Sequence, residues 1–164
     1  MSHFTNALDP ELALDASIQA MADATARVNQ TTDPVKAFIA IGESVWWITV
    51  VNDTLQTEPF YKDSLSDNTF LRDTLAGLRS VRNRIGHEVN LIDYVNLEAT
   101  RSDQYGDGRV AAWSWKSVPP PKATQRRYAM ENHRAYEVTL AGRTVVEGFS
   151  RTQMFLELVR GNRS

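Results

Sequence analysis

The sequence predicts a mainly α protein, an antiparallel helical bundle with a small C-terminal β-hairpin or three-strand element and a closing helix. Three observations carry this reading. Asp9-Pro10 and Asp33-Pro34 write two helix starts, an apolar stripe from Leu71 to Val89 writes a third helix, and strand-like alternation takes over after Gly108. The expected division is a bundle over residues 1–100 and a small basic α+β element over residues 101–164 packed on it.

In each of the first two helices an Asp precedes a proline at the first helical position, where the missing N–H costs nothing and the carboxylate caps free amides. The first helix should run to about Asn29, with Leu12, Ala16, Ile18, Met21, Ala22 and Val28 as its apolar positions, and Asn29 to Thr32 should turn the chain. The second carries Phe38, Ile39, Gly42, Val45, Trp46 and Thr49 on one side and ends near Asp53. Ile41, Ile48 and Val51 lie elsewhere around it, so it is apolar on nearly every side, as a central helix is. Trp46 and Trp47 are read as core and interface side chains and not as a stacking platform. A loop containing Glu58-Pro59 follows. The third helix should begin near Asp67 or Asn68, with Leu71, Leu75, Leu78, Val81, Ile85 and Val89 spaced four, three, three, four and four. Short connections make the three helices antiparallel neighbours, and a fourth short helix is expected over Asn90 to Glu98.

Ser102 to Gly108 is loop-forming and marks the boundary between the two parts. Val110 to Val118 alternates, with Trp113 and Trp115 on one face, and Pro119-Pro120-Pro121 stops it. Ala135 to Leu140, Ala141-Gly142 and Arg143 to Glu147 then suggest a hairpin pairing Val138 with Val145 and Thr139 with Thr144. A last helix, Arg151 to Arg160, closes the chain.

Bulk composition narrows the function. At 164 residues the chain has the size of one domain and can bury a core. The absence of cysteine excludes a disulfide scaffold and every thiol, Cys-zinc or iron–sulfur chemistry. Met1 to Asn6 has no basic region followed by an apolar stretch, so no signal peptide is expected. Apolar runs around Val45 to Val51 are far shorter than a membrane span. A soluble, cytoplasmic protein without membrane association is the expectation. Charge is uneven: residues 1–100 hold seven Lys/Arg and fourteen Asp/Glu, a net −7, whereas residues 101–164 hold eleven and six, a net +5. This serves either a nucleic acid or acidic partner, or attraction between the two parts.

Most standard sites are missing: there is no Gly-rich phosphate loop, nucleophile elbow or zinc-type His pair. Asp103 to Gly108 has some spacing of a calcium loop, but Tyr105 and Ser114 stand where ligands are needed. His3 and His133 are read as surface residues.

What remains is Leu78-Arg79-Ser80-Val81-Arg82-Asn83-Arg84-Ile85-Gly86-His87-Glu88. On a wheel of roughly 100° per residue Arg82 lies about 40° from the centre of the apolar stripe. An arginine aimed at a packed side needs a partner or an anion. Asn83 and His87 are four apart, as are Arg79 and Asn83, so each pair shares a face of an unbroken helix. Arg82 and His87, five apart, meet only if the helix breaks near Gly86 or a second subunit completes the site. A basic helix end is the other reading, with Arg79 and Arg84 solvated, Arg82 paired with a buried acid such as Glu43, and His87 near the C-terminal dipole. Glu43, the one acid between Asp33 and Asp53, could equally tune His87 or face solvent beside Lys36.

Arg82-Asn83-Arg84-Ile85-Gly86-His87 resembles the signature of the HEPN family (higher eukaryotes and prokaryotes nucleotide-binding), an arginine, four to six residues and a histidine, often with a polar residue after the arginine. The resemblance covers residues 9 to about 98 and leaves the C-terminal third unaddressed. It implies an all-helical bundle with the motif near the end of a late helix, and cleavage of RNA without metal at a site formed where two subunits meet. By resemblance His87 is the acid/base, Arg82 the phosphate clamp and Asn83 an orienting or substrate-contacting group. The neighbouring charges Arg79, Arg84 and Glu43 are, on the residues alone, substrate-binding candidates. Some members carry a Tyr shortly after the histidine, where this chain has Val89. No cofactor is expected. The expected partners are RNA, a second copy of the chain, and an antitoxin or other protein, in phage defence or toxin–antitoxin conflict. A non-catalytic module of the same bundle, binding a nucleotide, nucleic acid or protein, is the alternative. Trp113 and Trp115, with Lys116, Arg126 and Arg127, make either a base-stacking surface or the strand's own packing face.

Overall fold

The computed structural model describes residues 9–85, 87, 89–97, 113–122 and 127–163. Among these residues seven helices and two short strands follow in the order α1 (Pro10–Gln30), α2 (Pro34–Leu55), α3 (Pro59–Ser66), α4 (Thr69–Arg84), α5 (Leu91–Tyr94), β1 (Val95–Asn96), β2 (Ser114–Trp115), α6 (Arg127–Thr139) and α7 (Val145–Gly161). The chain is mainly α with a small antiparallel sheet.

The predicted caps form. Asp9 accepts from the amide of Glu11, and Asp33 accepts from the amides of Val35 and Lys36. Asn68, rather than Asp67, caps α4 through the amide of Leu71. Where a loop was expected after Glu58, Pro59 begins the short helix α3.

α2 is the central helix, packed against α1, α4, α5 and α7. It is long and apolar enough to cross a membrane by composition. In this fold it instead buries Ile41, Val45, Ile48, Val51 and Leu55 between its neighbours. The stripe on α4 packs as read from Leu71 through Leu75 and Leu78 to Val81, all buried, but Ile85 and Val89, read into the same helix, lie beyond its end and are half-buried. One hydrophobic cluster runs from Leu14 on α1 to Val159 on α7, so the core is continuous across the expected boundary.

The C-terminal third differs from expectation. The hairpin over Ala135 to Glu147 does not form: Ala135 to Thr139 belongs to α6, and Val145 to Glu147 opens α7. Valines and threonines favour strands only weakly, and packing overrides them. On α6 the buried residues are His133, Tyr136 and Thr139, three apart, while Val138 is 68% exposed. Gly77 lets α6 approach α4 closely, since a Cβ there would lie 2.9 Å from the Tyr136 Cα. The Ala141-Gly142 turn is real but joins helices. Gly142 has φ of 76°, and the amides of Leu140 and Ala141 both donate to the Tyr136 carbonyl.

Of the strand expected over Val110 to Val118, Ser114–Trp115 is extended, and residues 110–112 lie outside the described residues. β2 pairs with β1 in the register Val95 to Trp115 and Asn96 to Ser114. Its other edge bonds the α6–α7 turn: Gly142 donates to the Trp115 carbonyl at 2.8 Å, Trp115 to Arg143 at 2.9 Å, and Val145 to Trp113 at 2.8 Å. Trp113 and Trp115 are fully buried, Trp115 edge-on to Tyr136 and Phe149, so they are packing residues and not a stacking surface. His133 is also buried, stacked on Tyr136, where a surface residue was expected.

Ion pairs join the two parts at the end of α7. Arg160 bonds Asp15 at 2.9 Å and Arg163 bonds Glu11 and Glu58, each at 2.7 Å, tying the end of α7 to α1 and to the cap of α3.

Candidate functional site

α4 brings Arg79, Arg82, Asn83 and Arg84 to its last turns and stops there. Ile85 is extended, with ψ of 128°, and its amide closes the final helical bond to Val81. The amides of His87 and Val89 both return to the Arg84 carbonyl at 3.2 Å. His87 therefore lies beyond the helix, and the shared helical face expected for Asn83 and His87 does not exist. The expected break falls one residue before Gly86, which is outside the described residues. His87 and Asn83 are exposed, and neither side chain has a hydrogen-bond partner among the described residues.

The three arginines have three different environments. Arg79 donates to Asp53 of α2 and reaches Gln56 Oε1 at 3.4 Å. Arg82 is half-buried, its Nη1 3.7 Å from Asp53 Oδ2 and its guanidinium carbon 4.9 Å above the Trp46 ring. Such a cation over an indole face contributes roughly 0.5–1 kcal/mol when exposed. Arg84 is not solvated: it is 6% exposed and donates to the Pro119 carbonyl at 2.9 Å, so it braces the 113–122 segment and is not placed to hold substrate. Glu43 pairs with Arg27 of α1 instead of Arg82. It therefore serves the α1–α2 packing, and Asp53 takes the role expected of it.

The site that results is a surface corner. Arg79, Arg82 and Asp53 sit over the C-terminal half of α2 beside Trp46, with Asn83 exposed next to them and His87 exposed past the end of α4. Trp46, expected in the core or an interface, is 51% exposed. Asp53 and the exposure of Trp46 escaped the sequence reading. The partner of an arginine 26 positions away is set by how α2 and α4 cross, and no local signal encodes that.

A second polar group lies on the far side of α4. Tyr136 donates to the Lys116 carbonyl, and Glu137 accepts from Ser117 at 2.7 Å and from the Val118 amide at 3.1 Å. Burial pushes the His133 imidazole below its ordinary range, Glu137 opposes this and Arg84 adds to it. Burial likewise raises the Tyr136 phenol, which stays neutral. These groups bind the 116–118 segment to α6, a structural role.

Comparison of the chain with protein-family models, curated proteins and solved structures finds no match.

Proposed function

We propose that the protein is a metal-independent endoribonuclease of HEPN type, acting through Arg82, Asn83 and His87. The observation that carries the proposal is the termination of α4 at Arg84: it leaves a half-exposed arginine and an exposed histidine on either side of a helix end instead of fixed on opposite helical faces. The likeness of Arg82-Asn83 to His87 to the HEPN signature supplies the reaction class.

Cleavage of RNA by transesterification removes the proton of a 2′-hydroxyl and forms a bond from that oxygen to phosphorus. It then breaks the bond to the 5′-oxygen, which takes up a proton. Histidine titrates in the range that suits both transfers, and a guanidinium fork matches the charge on the non-bridging oxygens. His87 is the acid/base, Arg82 the clamp, and Asn83 a substrate contact. Arg82 and His87 make no contact with each other among the described residues, which favours assembly of the site from two copies of the chain. The setting proposed is intracellular, in phage defence or toxin–antitoxin conflict, with an antitoxin or other protein as the controlling partner.

A second reading is a non-catalytic module that binds nucleic acid or protein, favoured by the engagement of Arg82 with Asp53 and Trp46. Incubating the protein with mixed RNA in chelator, beside His87→Ala, separates the two. The nuclease yields fragments with 2′,3′-cyclic phosphate ends that the variant does not. Cleavage that survives in the variant removes His87 from the chemistry, and intact RNA in both samples leaves the binding module.

A further inference from the structure

The exposed imidazole of His87 bonds nothing among the described residues. Where it stands therefore follows from how the backbone between α4 and α5 is fixed. That turn starts from one carbonyl. The amides of His87 and Val89 both donate to the Arg84 oxygen, each at 3.2 Å, and a bridge between Ile85 and Val89 closes the turn. Arg84 is the last residue of α4, and the final carbonyls of a helix have no partner inside it, so this is where helices fray.

The Arg84 side chain opposes that fraying. It is 6% exposed, and its Nη1 donates to the Pro119 carbonyl at 2.9 Å. Arginine is rarely buried so far, and a buried guanidinium must keep its hydrogen bonds. Its stem is thus confined, and the backbone it springs from is confined with it. The same 113–122 segment grips the far end of the turn: Lys116 donates to the Tyr94 carbonyl at 2.7 Å, and Trp115 pairs with Val95. Between these attachments Leu91 is buried over Gly42 of α2, where a Cβ would lie 3.2 Å from a Leu91 methyl. The segment is itself fastened to α6, where Glu137 accepts from Ser117 and from the Val118 amide.

We propose that Arg84 is a positioning residue for His87: its guanidinium locks the end of α4 to the 113–122 segment, and its carbonyl carries the turn that presents the imidazole. The inference rests on the ribonuclease reading and adds to it a residue that acts without touching substrate. Proton transfer requires the imidazole within hydrogen-bond reach of the reacting oxygen, and a misplacement of about 1 Å costs roughly a hundredfold in rate. Arg82 takes its place from Asp53 and Trp46 on α2 instead. Loss of the Arg84 anchor therefore falls on kcat and spares the phosphate clamp.

The test sets Arg84→Met and Arg84→Lys beside Asp33→Ala, which loses stability at the α1–α2 turn, all in the full chain at a temperature where each is folded. Amide exchange followed by NMR should show the His87 and Val89 amides opening about tenfold or more faster in Arg84→Met than in Asp33→Ala. With an oligoribonucleotide that the parent cleaves, kcat of Arg84→Met should fall roughly tenfold to a hundredfold, with KM within about twofold. Arg84→Lys, which keeps a cationic donor, should recover part of the loss. Should the Met variant not fold, Arg84→Gln takes its place in both measurements. Exchange at His87 and Val89 equal to that of Asp33→Ala, or an equal kcat while the parent cleaves, overturns the positioning role and leaves the nuclease standing. A raised KM at unchanged kcat puts Arg84 on the substrate and equally sinks the proposal. Absence of cleavage by the parent chain overturns the ribonuclease reading and this inference with it.

Discussion

Replacing Gly77 by alanine should destabilise the protein, although alanine is the better helix former. Gly77 lies inside α4, and in isolation the substitution stabilises a helix by about 1 kcal/mol. Against this stands the α4–α6 contact. The new methyl would sit 2.9 Å from the Cα of Tyr136, 3.1 Å from its amide nitrogen and 3.0 Å from a methyl of Leu140. Carbon atoms pack at about 3.5–4.0 Å, so α6 must retreat by several tenths of an ångström or more, and backbone cannot swing aside as a side chain does. Overpacking of this kind costs roughly 1–3 kcal/mol, and it loosens the contacts of Leu78 and Tyr136 along the same interface. Two of the three close atoms are backbone, which puts the cost in the upper half of that range, about 2–3 kcal/mol; the net expectation is then a loss of about 1–2 kcal/mol, or a fall in Tm of roughly 2–8 °C for a chain of this size. Urea unfolding followed by far-UV circular dichroism measures it, with Gly148→Ala and Gly161→Ala as companions. At Gly148 the nearest atom, at 2.8 Å, belongs to the flexible Leu140 side chain, and at Gly161 nothing lies within 4 Å. The order of stability should be Gly161→Ala, then Gly148→Ala, then Gly77→Ala. A Gly77→Ala protein as stable as the parent would refute the view that α4 and α6 meet backbone to backbone.

Other consequences can be measured in the same way. His133 is buried with its pKa below the ordinary value, so on acidification the unfolded chain takes up a proton near pH 6.5, by about the usual value, while the folded chain resists. Stability from this group is complete above that pH and drains away below it, and His133→Phe should flatten the fall between neutral and mildly acid pH in thermal melts. Arg84→Met removes the donor to Pro119 and should cost about 1–3 kcal/mol, with proteolysis of the 113–122 segment as a second readout. Asp33→Ala deletes the cap of α2 and should cost about 1 kcal/mol in the same urea assay. Removing the α7 anchors with Arg160→Ala and Arg163→Ala should have a small effect that shrinks further in high salt, because these side chains are partly exposed.

The N-terminal helices were legible because their signals are local. Asp9-Pro10 and Asp33-Pro34 specify a cap and a first turn within three residues, and the period of Leu71 to Val81 needs nothing beyond α4. Glu58-Pro59 carries a similar signal, yet α3 spans only eight residues and too few apolar positions to set a period. The C-terminal third misled for a physical reason. Tyr136-Glu137-Val138-Thr139 alternates, but Val138 faces water while His133, Tyr136 and Leu140 follow helical spacing into the core. Gly77, almost sixty residues earlier, leaves the room in which α6 lies close against α4. At the candidate site the motif residues could be named from sequence and their surroundings could not. The exchange of Glu43 for Asp53 as the partner of Arg82, and the burial of Arg84, follow from how α2, α4 and the 113–122 segment cross.

If Arg82 clamps a phosphate as proposed, the sharing of Asp53 has a further implication. Were the carboxylate served by one arginine, drawing that arginine to a phosphate would strand a half-exposed negative charge, a penalty that opposes binding. Arg79 is hydrogen-bonded to Asp53 in its own right, so departure of Arg82 would not leave the carboxylate alone. At this exposure the Arg82 contact itself is worth no more than about 1 kcal/mol. Under the proposed function the pair would be a rest position with a standing substitute: leaving it would cost Arg82 the Asp53 contact and the Trp46 ring face, together about 1–2 kcal/mol at most. Asp53→Asn, by contrast, would put two guanidinium groups side by side with nothing between them, and the cost of holding Arg82 ready would then fall on their mutual repulsion.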